Sequence, residues 1–293
     1  VTENHPLYAA SIWSVPSKTP KIDPLGWTPT SALKPGDLVA CPIETPCFGD
    51  KPLDERHLKL LAYMIGDGGM TNKTPGFTQM PGAQMTEFLQ LTESIGCRNS
   101  VRPATKGKAF QIGVSGTIRP FNPLTTLLRD HRLMGKHSRD KFIPTAVFTA
   151  PREQVALFLN RLYSTDGWAS VQKYTKRLAP QIGFCSISER MIREIQELLV
   201  RFGIRSRIRF RRKVNAWCVE IISAENIEKF AEQIGILGKE TAVAHCLEVA
   251  KNIKKRDLWR MFSIAFRARW GGSEESRVQF ALVLFVGMIV HGL

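Results

Sequence analysis

Hydrophobic positions along the chain follow two periods, and the change from one to the other marks the predicted helices and strands. Apolar side chains recur at helical spacing from Leu58 to Ile65, which predicts a helix that starts after an Asp54 N-cap and ends at Gly66. Similar patterns predict further helices at residues 83–95, 123–133, 152–165, 189–202 and 224–234. Strands are predicted at residues 74–80, 100–114, 169–173, 181–186, 204–210 and 216–222. The order helix, strands, helix, strands, helix occurs twice, which predicts a two-lobed α+β domain with an internal two-fold pseudo-repeat.

The two ends of the chain have a different pattern from the middle. Residues 1–48 consist of short mixed segments and turns that predict β-structure, and the Pro- and Gly-rich stretch 42–52 is typical of a linker. The apolar run from Val278 to Val290 predicts one or two strands that return to the first domain. We therefore expect four segments: an N-terminal β part at 1–48, a central domain at 53–247 with halves at about 53–150 and 151–247, a basic linker at 248–277, and a C-terminal part at 278–293.

The charge of the chain narrows the classes of partner. Forty-one Lys and Arg residues outnumber 26 Asp and Glu residues, and the resulting net charge of +15 favours an anionic partner such as nucleic acid. No apolar run reaches the ~18–20 residues of a membrane span, and no signal-peptide pattern occurs, so we expect a cytoplasmic protein without a membrane partner. The six cysteines are scattered, and we expect them to be reduced, with no metal and no disulfide.

A short helical segment occurs twice, at Leu60–Gly68 and at Leu159–Gly167, and each copy ends in Asp followed by Gly. A carboxylate at a helix C-terminus meets negative potential, and two such carboxylates side by side would repel each other. A divalent cation such as Mg²⁺ removes this penalty and prefers carboxylate and carbonyl oxygens. The repeat therefore predicts a Mg²⁺ site that activates water for phosphodiester hydrolysis, formed by the carboxylates of Asp67 and Asp166 and the carbonyls of Gly66 and Thr165. The simpler alternative is that each Asp-Gly pair only ends its helix in a turn.

A basic strand provides a second, independent indication of DNA binding. In the segment 204–211 the arginines take every odd position, so a strand would project all of them from one face, and no acidic residue is interleaved. Such a face fits the DNA backbone or the major groove, while a solvated outer sheet face is the alternative. The predicted DNA-binding residues are Arg205, Arg207, Arg209 and Arg211, with Arg98 and Arg102 as a sparser counterpart in the first half.

The repeated segments resemble the paired motifs of LAGLIDADG homing endonucleases, over roughly residues 53–247. The resemblance implies two αββαββα halves whose motif helices pack together, with Asp67 and Asp166 binding the metal. It also implies a basic residue near the cleavage centre of each half, for which Lys108 and Lys213 are the candidates and Lys106 and Arg212 compete. The second copy departs from the family pattern, because Arg161 stands where a small residue is usual and Ser164 where an acidic residue is common.

The flanks resemble the splicing blocks of inteins, in particular of inteins inserted in bacterial replicative helicases. Thr2–Pro6 is similar to the TxxH block, and Gly287–His291 is similar to the C-terminal block. The resemblance implies that His5, helped by Thr2, polarises the upstream scissile amide, and that His291 assists asparagine cyclisation. No Cys or Ser nucleophile opens the chain, and Gly292 follows His291 where inteins have Asn, so we expect splicing to be incomplete or inactivated in the chain as written.

These observations together predict a monomeric, bifunctional intein, in which a Mg²⁺-dependent LAGLIDADG-type endonuclease interrupts a β-rich, Hint-type splicing domain. The expected partners are the double-stranded, intein-less site in the host gene and the flanking host-protein segments, or exteins. Two alternatives stay open: a DNA-binding protein that does not cleave, either a degenerate endonuclease or a regulator of the same fold, and an RNA-splicing maturase. The intein-like flanks argue against the maturase.

Overall fold

The computed structural model describes residues 2–13, 21–34, 36–42, 44–105, 107–118, 120–174, 177–252 and 280–284. The chain divides into two compact units, one formed by Val1–Glu44 with Lys255–Leu293 and the other by Thr45–Lys254. None of the helices among the described residues is long and apolar enough to cross a membrane.

The described residues form eight α-helices and fourteen β-strands, all paired antiparallel. The helices are α1 (Glu55–Asp67), α2 (Ala83–Ser94), α3 (Pro123–Asp130), α4 (Thr145–Phe148), α5 (Arg152–Ser164), α6 (Glu189–Arg201), α7 (Ala224–Gln233) and α8 (Glu240–Asn252). The strands are β1 (Pro6–Ala10), β2 (Ile12–Trp13), β3 (Lys21–Ile22), β4 (Gly26–Pro29), β5 (Leu38–Pro42), β6 (Gly68–Gly69), β7 (Gly76–Gln79), β8 (Cys97–Pro103), β9 (Phe110–Gly116), β10 (Gly167–Tyr174), β11 (Arg177–Ser186), β12 (Arg207–Arg211), β13 (Ala216–Ile221) and β14 (Phe280–Leu284).

The smaller unit is a β-structure built from both ends of the chain. Its main sheet has the strand order β14-β5-β1-β4, and β14 pairs with β5 in the register Leu282↔Ala40. The prediction that the C-terminal run returns to the first domain as a strand is therefore confirmed for residues 280–284. Ala9 and Ala10 are both buried although they are consecutive in β1, so both faces of the sheet are covered at this point.

The larger unit repeats one arrangement twice, as the sequence predicts. The first half runs α1-β6-β7-α2-β8-β9-α3 and the second runs α5-β10-β11-α6-β12-β13-α7. The two four-stranded sheets have equivalent orders, β6-β7-β9-β8 and β10-β11-β13-β12, so that β8 and β12 are edge strands at matching positions. Both halves are therefore αββαββα units.

The repeated helices α1 and α5 pack against each other between the two sheets. Every residue from Leu60 to Ile65 is fully buried, because α1 contacts both its own sheet and α5. Close approach depends on Gly66, since a Cβ at this position would overlap the side chain of Thr165. An aromatic cluster fills the core beneath each helix, with Tyr63 on Phe77 in the first half and Tyr163 on Phe184 in the second.

Two predictions about the connecting segments need correction. Residues 248–252, assigned to a basic linker, belong to helix α8, which packs on the second sheet. The stretch before α1, predicted as a linker, is irregular but is held where the two halves join: Gly49 N donates to Ala150 O at 3.1 Å, and the Arg152 guanidinium lies 5.0 Å from the centroid of the Phe48 ring. The structure of both segments depends on tertiary contacts rather than on the local sequence pattern.

The expectation that all cysteines are reduced is wrong for one pair. Cys185 and Cys218 form a disulfide, with their Cα atoms 4.2 Å apart. They are directly opposite each other on β11 and β13, and this pairing cannot be seen in the sequence because 33 positions separate them. Among the described cysteines, Cys97 and Cys246 are free and buried and Cys47 is free and exposed.

Candidate functional site

The two repeated helices end at one cleft of about 460 Å³. Helix α1 begins at an N-cap formed by Asp54, whose carboxylate accepts from the N–H groups of Arg56 and His57, and it ends at Asp67. Helix α5 ends at Ser164, and Asp166 follows two residues later. The residues that line the cleft are Gly66, Asp67, Gly68, Ser138, Lys141, Asp166, Cys185, Ser186, Ile187 and Ala216. The structure thus brings the two predicted carboxylates together.

The carboxylates are electrostatically costly in this position, as the sequence argument requires. Burial and, to a smaller extent, the neighbouring carboxylate of Asp166 raise the pKa of Asp67 to about 6. Burial also raises the pKa of Asp166. Asp67 has one neutral hydrogen-bond donor, the amide of Gln79, whose Nε2 lies 3.2 Å from Oδ2. Asp67 is half-buried and Asp166 is exposed, so the pair presents two neighbouring acceptors on which a cation or a proton would relieve repulsion.

Two lysines lie near the carboxylates, one in each half: Lys141 is buried and Lys239 is half-buried. Lys141 Nζ donates to Met64 O at 3.2 Å and to Gly66 O at 2.8 Å, both at the end of α1. Lys239 Nζ donates to the carbonyls of Tyr163, Thr165 and Gly167, at 3.3, 2.9 and 2.6 Å. Each ammonium thus satisfies orphan carbonyls at a helix C-terminus, where the helix dipole favours positive charge.

The protonation of these lysines is linked to the carboxylates. Burial lowers the pKa of Lys141 to about 8, although Asp67 and Asp166 both act to raise it. Burial also lowers the pKa of Lys239 against the same two carboxylates. The two charged pairs therefore stabilise each other, and the cleft has a balanced rather than a purely negative charge.

Sequence reasoning missed these lysines. It proposed Lys108 and Lys213 for the cleavage centre, but the structure places both in exposed turns, between β8 and β9 and between β12 and β13. Neither lines the cleft or donates to a motif helix among the described contacts, whereas Lys141 and Lys239 donate to carbonyls at the ends of the motif helices. A signal was available, because Lys141 follows Gly66 by 75 positions and Lys239 follows Thr165 by 74.

The donor set of the cleft fits a hard divalent cation that keeps most of its waters. Two carboxylates face it, and the carbonyls of Gly66 and Thr165, which accept from the lysines, each retain a second lone pair. Among the described residues, no group of three or more His, Cys, Asp and Glu side chains is arranged to hold a metal ion. The residues that would hold the ion are Asp67, Asp166, Gly66 and Thr165.

Arg161, which departs from the family pattern, does not push the two helices apart. Its guanidinium lies on Glu87 of the first half, with Nε to Oε2 at 2.7 Å and Nη2 to Oε1 at 2.9 Å. Lys59 and the hydroxyl of Tyr63 contact the same carboxylate. Burial acts to raise the pKa of Glu87, but these partners lower it to about 2. The large side chain therefore joins the two halves through an ion pair.

Replacing Arg161 with Ala is expected to lower the free energy of unfolding by about 3 kcal/mol, because Glu87 would lose its bidentate partner while it stays mostly buried. Urea denaturation of the full chain measures this change. A matched control is Arg193→Ala, which removes an arginine from an exposed pair with Glu189 and should cost less than about 0.5 kcal/mol. Equal losses for the two variants would contradict the role of the Arg161 pair.

The predicted arginine face exists, with two corrections. Arg207, Arg209 and Arg211 are exposed on one side of the edge strand β12, while the intervening Ile208 and Phe210 are half-buried. Arg205 lies before the strand. Contrary to the prediction of a face without acid, Glu220 of β13 pairs with both Arg207 and Arg211.

The counterpart in the first half is also an edge strand. Arg98 and Arg102 are exposed on β8, two alternations apart, so both lie on the same face of the first sheet. Basic side chains therefore occupy equivalent edges of the two sheets.

The predicted splicing residues fall in the smaller unit or outside the described residues. Thr2 and His5 are exposed in a turn before β1, where His5 N donates to Thr2 O at 3.0 Å. The carbonyl of His5 accepts from the backbone and the hydroxyl of Thr30. His291 lies outside the described residues, as does Lys106.

Curated relatives match most of this chain, while the chain spans less than half of the length of each of the relatives considered. It is 28% identical over 235 residues to the replicative DNA helicase DnaB of Rhodothermus marinus, covering 76% of this chain and 25% of that protein. It is 26% identical over 256 residues to the RecA protein of Mycobacterium bovis, covering 80% of this chain and 31% of that protein.

Solved structures show weaker likeness. The structure of full-length WhiA from Thermatoga maritima aligns at 17% identity with a TM-score of 0.47, covering 78% of this chain and 69% of that chain. Mesophilic variants of the homing endonuclease I-DmoI align at 16% identity with a TM-score of 0.43, covering 65% and 97%. Residues 153–235, in the second half of the larger unit, match the family model described as a LAGLIDADG-like domain. This match supports a domain of the homing-endonuclease type.

Proposed function

We propose that the larger unit is a metal-dependent, site-specific DNA endonuclease and that the whole chain is an intein. The observation that carries the nuclease proposal is the junction of the two motif helices, where Asp67 and Asp166 share one cleft and a lysine holds each helix end. A structural turn explains neither the paired carboxylates nor the matched lysines. A phosphodiester-cutting centre explains both.

The roles of the residues follow from their positions. Asp67 and Asp166, with the carbonyls of Gly66 and Thr165, would hold Mg²⁺ in the cleft. When bound, this ion supplies an activated water and charge stabilisation for the leaving 3′ oxygen. Lys141 lines the cleft and uses two of its N–H groups on carbonyls, which leaves a third to donate to a phosphate oxygen. Lys239 donates hydrogen bonds to three carbonyls and so positions the end of α5.

DNA would lie across the two sheets, along the face that carries the arginines. The edge strands β8 and β12 present Arg98, Arg102, Arg207, Arg209 and Arg211 at equivalent places, and the cleft opens between the two halves. Binding of double-stranded DNA should therefore weaken steeply as salt rises, since each neutralised phosphate releases counterions.

Two observations support the intein part of the proposal. Both ends of the chain contribute strands to one sheet, so the larger unit is an insertion within the smaller one. In addition, this chain matches a stretch of a helicase and a stretch of RecA, two proteins with different activities. A mobile element inserted in different hosts would produce such matches. Thr2, His5 and His291 remain the proposed splicing residues, and exteins remain the proposed partners.

A DNA-binding protein that does not cleave is the second candidate. The departures at Arg161 and Ser164 in the second motif favour it, because they fall in the helix that presents Asp166. The test is incubation of the full chain and Mg²⁺ with a duplex of the host-gene sequence from which the segment encoding this chain has been removed. An endonuclease cuts this duplex and stops when EDTA is added, whereas a binder shifts it in a gel and leaves it intact.

A further inference from the structure

A buried carboxylate lies directly beneath the arginine face of the second sheet. The Glu220 side chain is 1% exposed, while the Arg207 and Arg211 side chains are 47% and 43% exposed. Arg207 places Nε and Nη2 on Oε2, each at 2.8 Å, and Arg211 places Nη2 on Oε1 at 2.8 Å. Each arginine therefore contacts its own oxygen of the Glu220 carboxylate, which fixes the orientation of both guanidinium groups.

The neighbouring strands complete this support. Glu220 is opposite Gly183, and Gly183 is opposite Trp168 on β10. Because a Cβ at Gly183 would overlap the ring of Trp168, the glycine lets this ring lie flat across the sheet. The guanidinium of Arg211 is 5.1 Å above the same ring. Trp168, Arg211, Glu220 and Arg207 thus form a continuous layer over the sheet.

A face that only attracted phosphates would bind more strongly without this acid. A Glu between two arginines removes one unit of positive charge from the DNA-facing surface, and its burial carries a desolvation cost. Two guanidinium partners offset that cost: they lower the pKa of Glu220 even though burial acts to raise it. The gain for recognition is orientation, because a fixed guanidinium fork can meet the edge of a base in the major groove.

We propose that Glu220 is a positioning residue that, together with Trp168, fixes Arg207 and Arg211 for the reading of base pairs. This inference rests on the proposed function as a DNA-binding protein. It assigns these two arginines to sequence recognition and leaves Arg209, which lies between them without this support, to backbone contact.

The test is selection of bound duplexes from a library that is randomised over the length of the site, with the full chain in EDTA so that no DNA is cut. Glu220→Gln should lose sequence preference in one contiguous block, with about a ten- to hundredfold loss of discrimination there. Its affinity for random duplex should equal or exceed that of the wild type, because the variant has one more unit of positive charge. A simple loss of folding would lower affinity for all DNA and would shift the thermal melting curve.

Two further variants keep the test decisive. Trp168→Ala, which leaves the charge unchanged, should lose sequence preference over the same block of base pairs. Glu220→Gln should add no further loss in a chain that already carries Arg207→Ala and Arg211→Ala. Glu189→Gln is the matched control, because it removes a carboxylate that pairs with Arg193 on helix α6, outside this face. This variant should select the same DNA sequences as the wild type.

The outcomes separate the two proposals. If Glu220→Gln selects the same DNA sequences as the wild type, the positioning role is overturned while site-specific DNA recognition stands. A wild-type chain that enriches no sequence would overturn site-specific recognition itself, and the positioning role with it.

Discussion

Replacing Asp67 with Asn is expected to abolish DNA cleavage, with a loss of at least about a thousandfold, while DNA binding survives. The substitution keeps the shape of the side chain but removes the charge that would hold Mg²⁺. DNA affinity should remain, because the predicted DNA contacts are the arginines of the edge strands. Cleavage of the host-gene duplex under single-turnover conditions and gel-shift titration of the same duplex measure the two effects separately.

The same substitution should make the metal-free protein more stable. The folded-state pKa of Asp67 is raised from 3.8 to about 6, so ionising this group costs stability as pH rises from about 3.8 through 6. At neutral pH the cost is present in the wild type and absent in Asp67→Asn, which should gain about 1–3 kcal/mol. Thermal melts in EDTA at pH 7 and near pH 4 should show the gain at the higher pH and a smaller one at the lower.

Helix α3 offers a matched control, because it also ends in an Asp, Asp130, that lies outside the cleft. Asp130→Asn should leave cleavage and stability at neutral pH close to wild type. If Asp67→Asn and Asp130→Asn behaved alike in both assays, the carboxylate pair would have no special role.

Replacing Lys141 with Met is expected to lower the cleavage rate by about a hundred- to a thousandfold, with DNA binding nearly unchanged. The ammonium holds the end of α1 through two carbonyls and lies next to both carboxylates. Without it, Asp67 and Asp166 lose a positive neighbour and a phosphate loses a donor. A Mg²⁺ titration of the single-turnover rate separates weaker metal binding from a slower chemical step.

Lys229 provides the control for this variant, because its Nζ also donates to a backbone carbonyl, that of Gly203 at 3.2 Å, away from the cleft. Lys229→Met should cut at the wild-type rate. A normal rate for Lys141→Met would show that the lysine only supports the helix end, and the role given to it in cleavage would fall.

Features with a local or periodic cause could be predicted from the sequence. The N-cap at Asp54, the two motif helices and the alternation of arginines in β12 each depend on spacing along a single element. The pairing of Asp67 with Asp166 followed from repetition, since equal segments in a two-fold arrangement meet at the axis.

Features that depend on register or on distant segments could not be predicted in this way. Glu220 reaches Arg207 because β12 and β13 pair in one particular register, and the same is true of Cys185 and Cys218. Lys141 and Lys239 lie far along the chain from the helix-end carbonyls to which they donate, in loops without a periodic pattern, so only their matching separations from Gly66 and Thr165 pointed to them. Arg161 could not be interpreted from the sequence either. The resemblance indicated only that its side chain is larger than usual at this position, whereas its ion pair with Glu87 depends on the packing of the two halves.

The most direct test of the central claim is strand-resolved cleavage of the host-gene duplex by the wild type, Asp67→Asn and Asp166→Asn, each with Mg²⁺. Because the two carboxylates share one cleft, we expect the wild type to cut both strands and neither variant to produce a double-strand break. Undiminished cutting of both strands by both variants would contradict the claim that Asp67 and Asp166 form the metal-binding, phosphodiester-cutting centre.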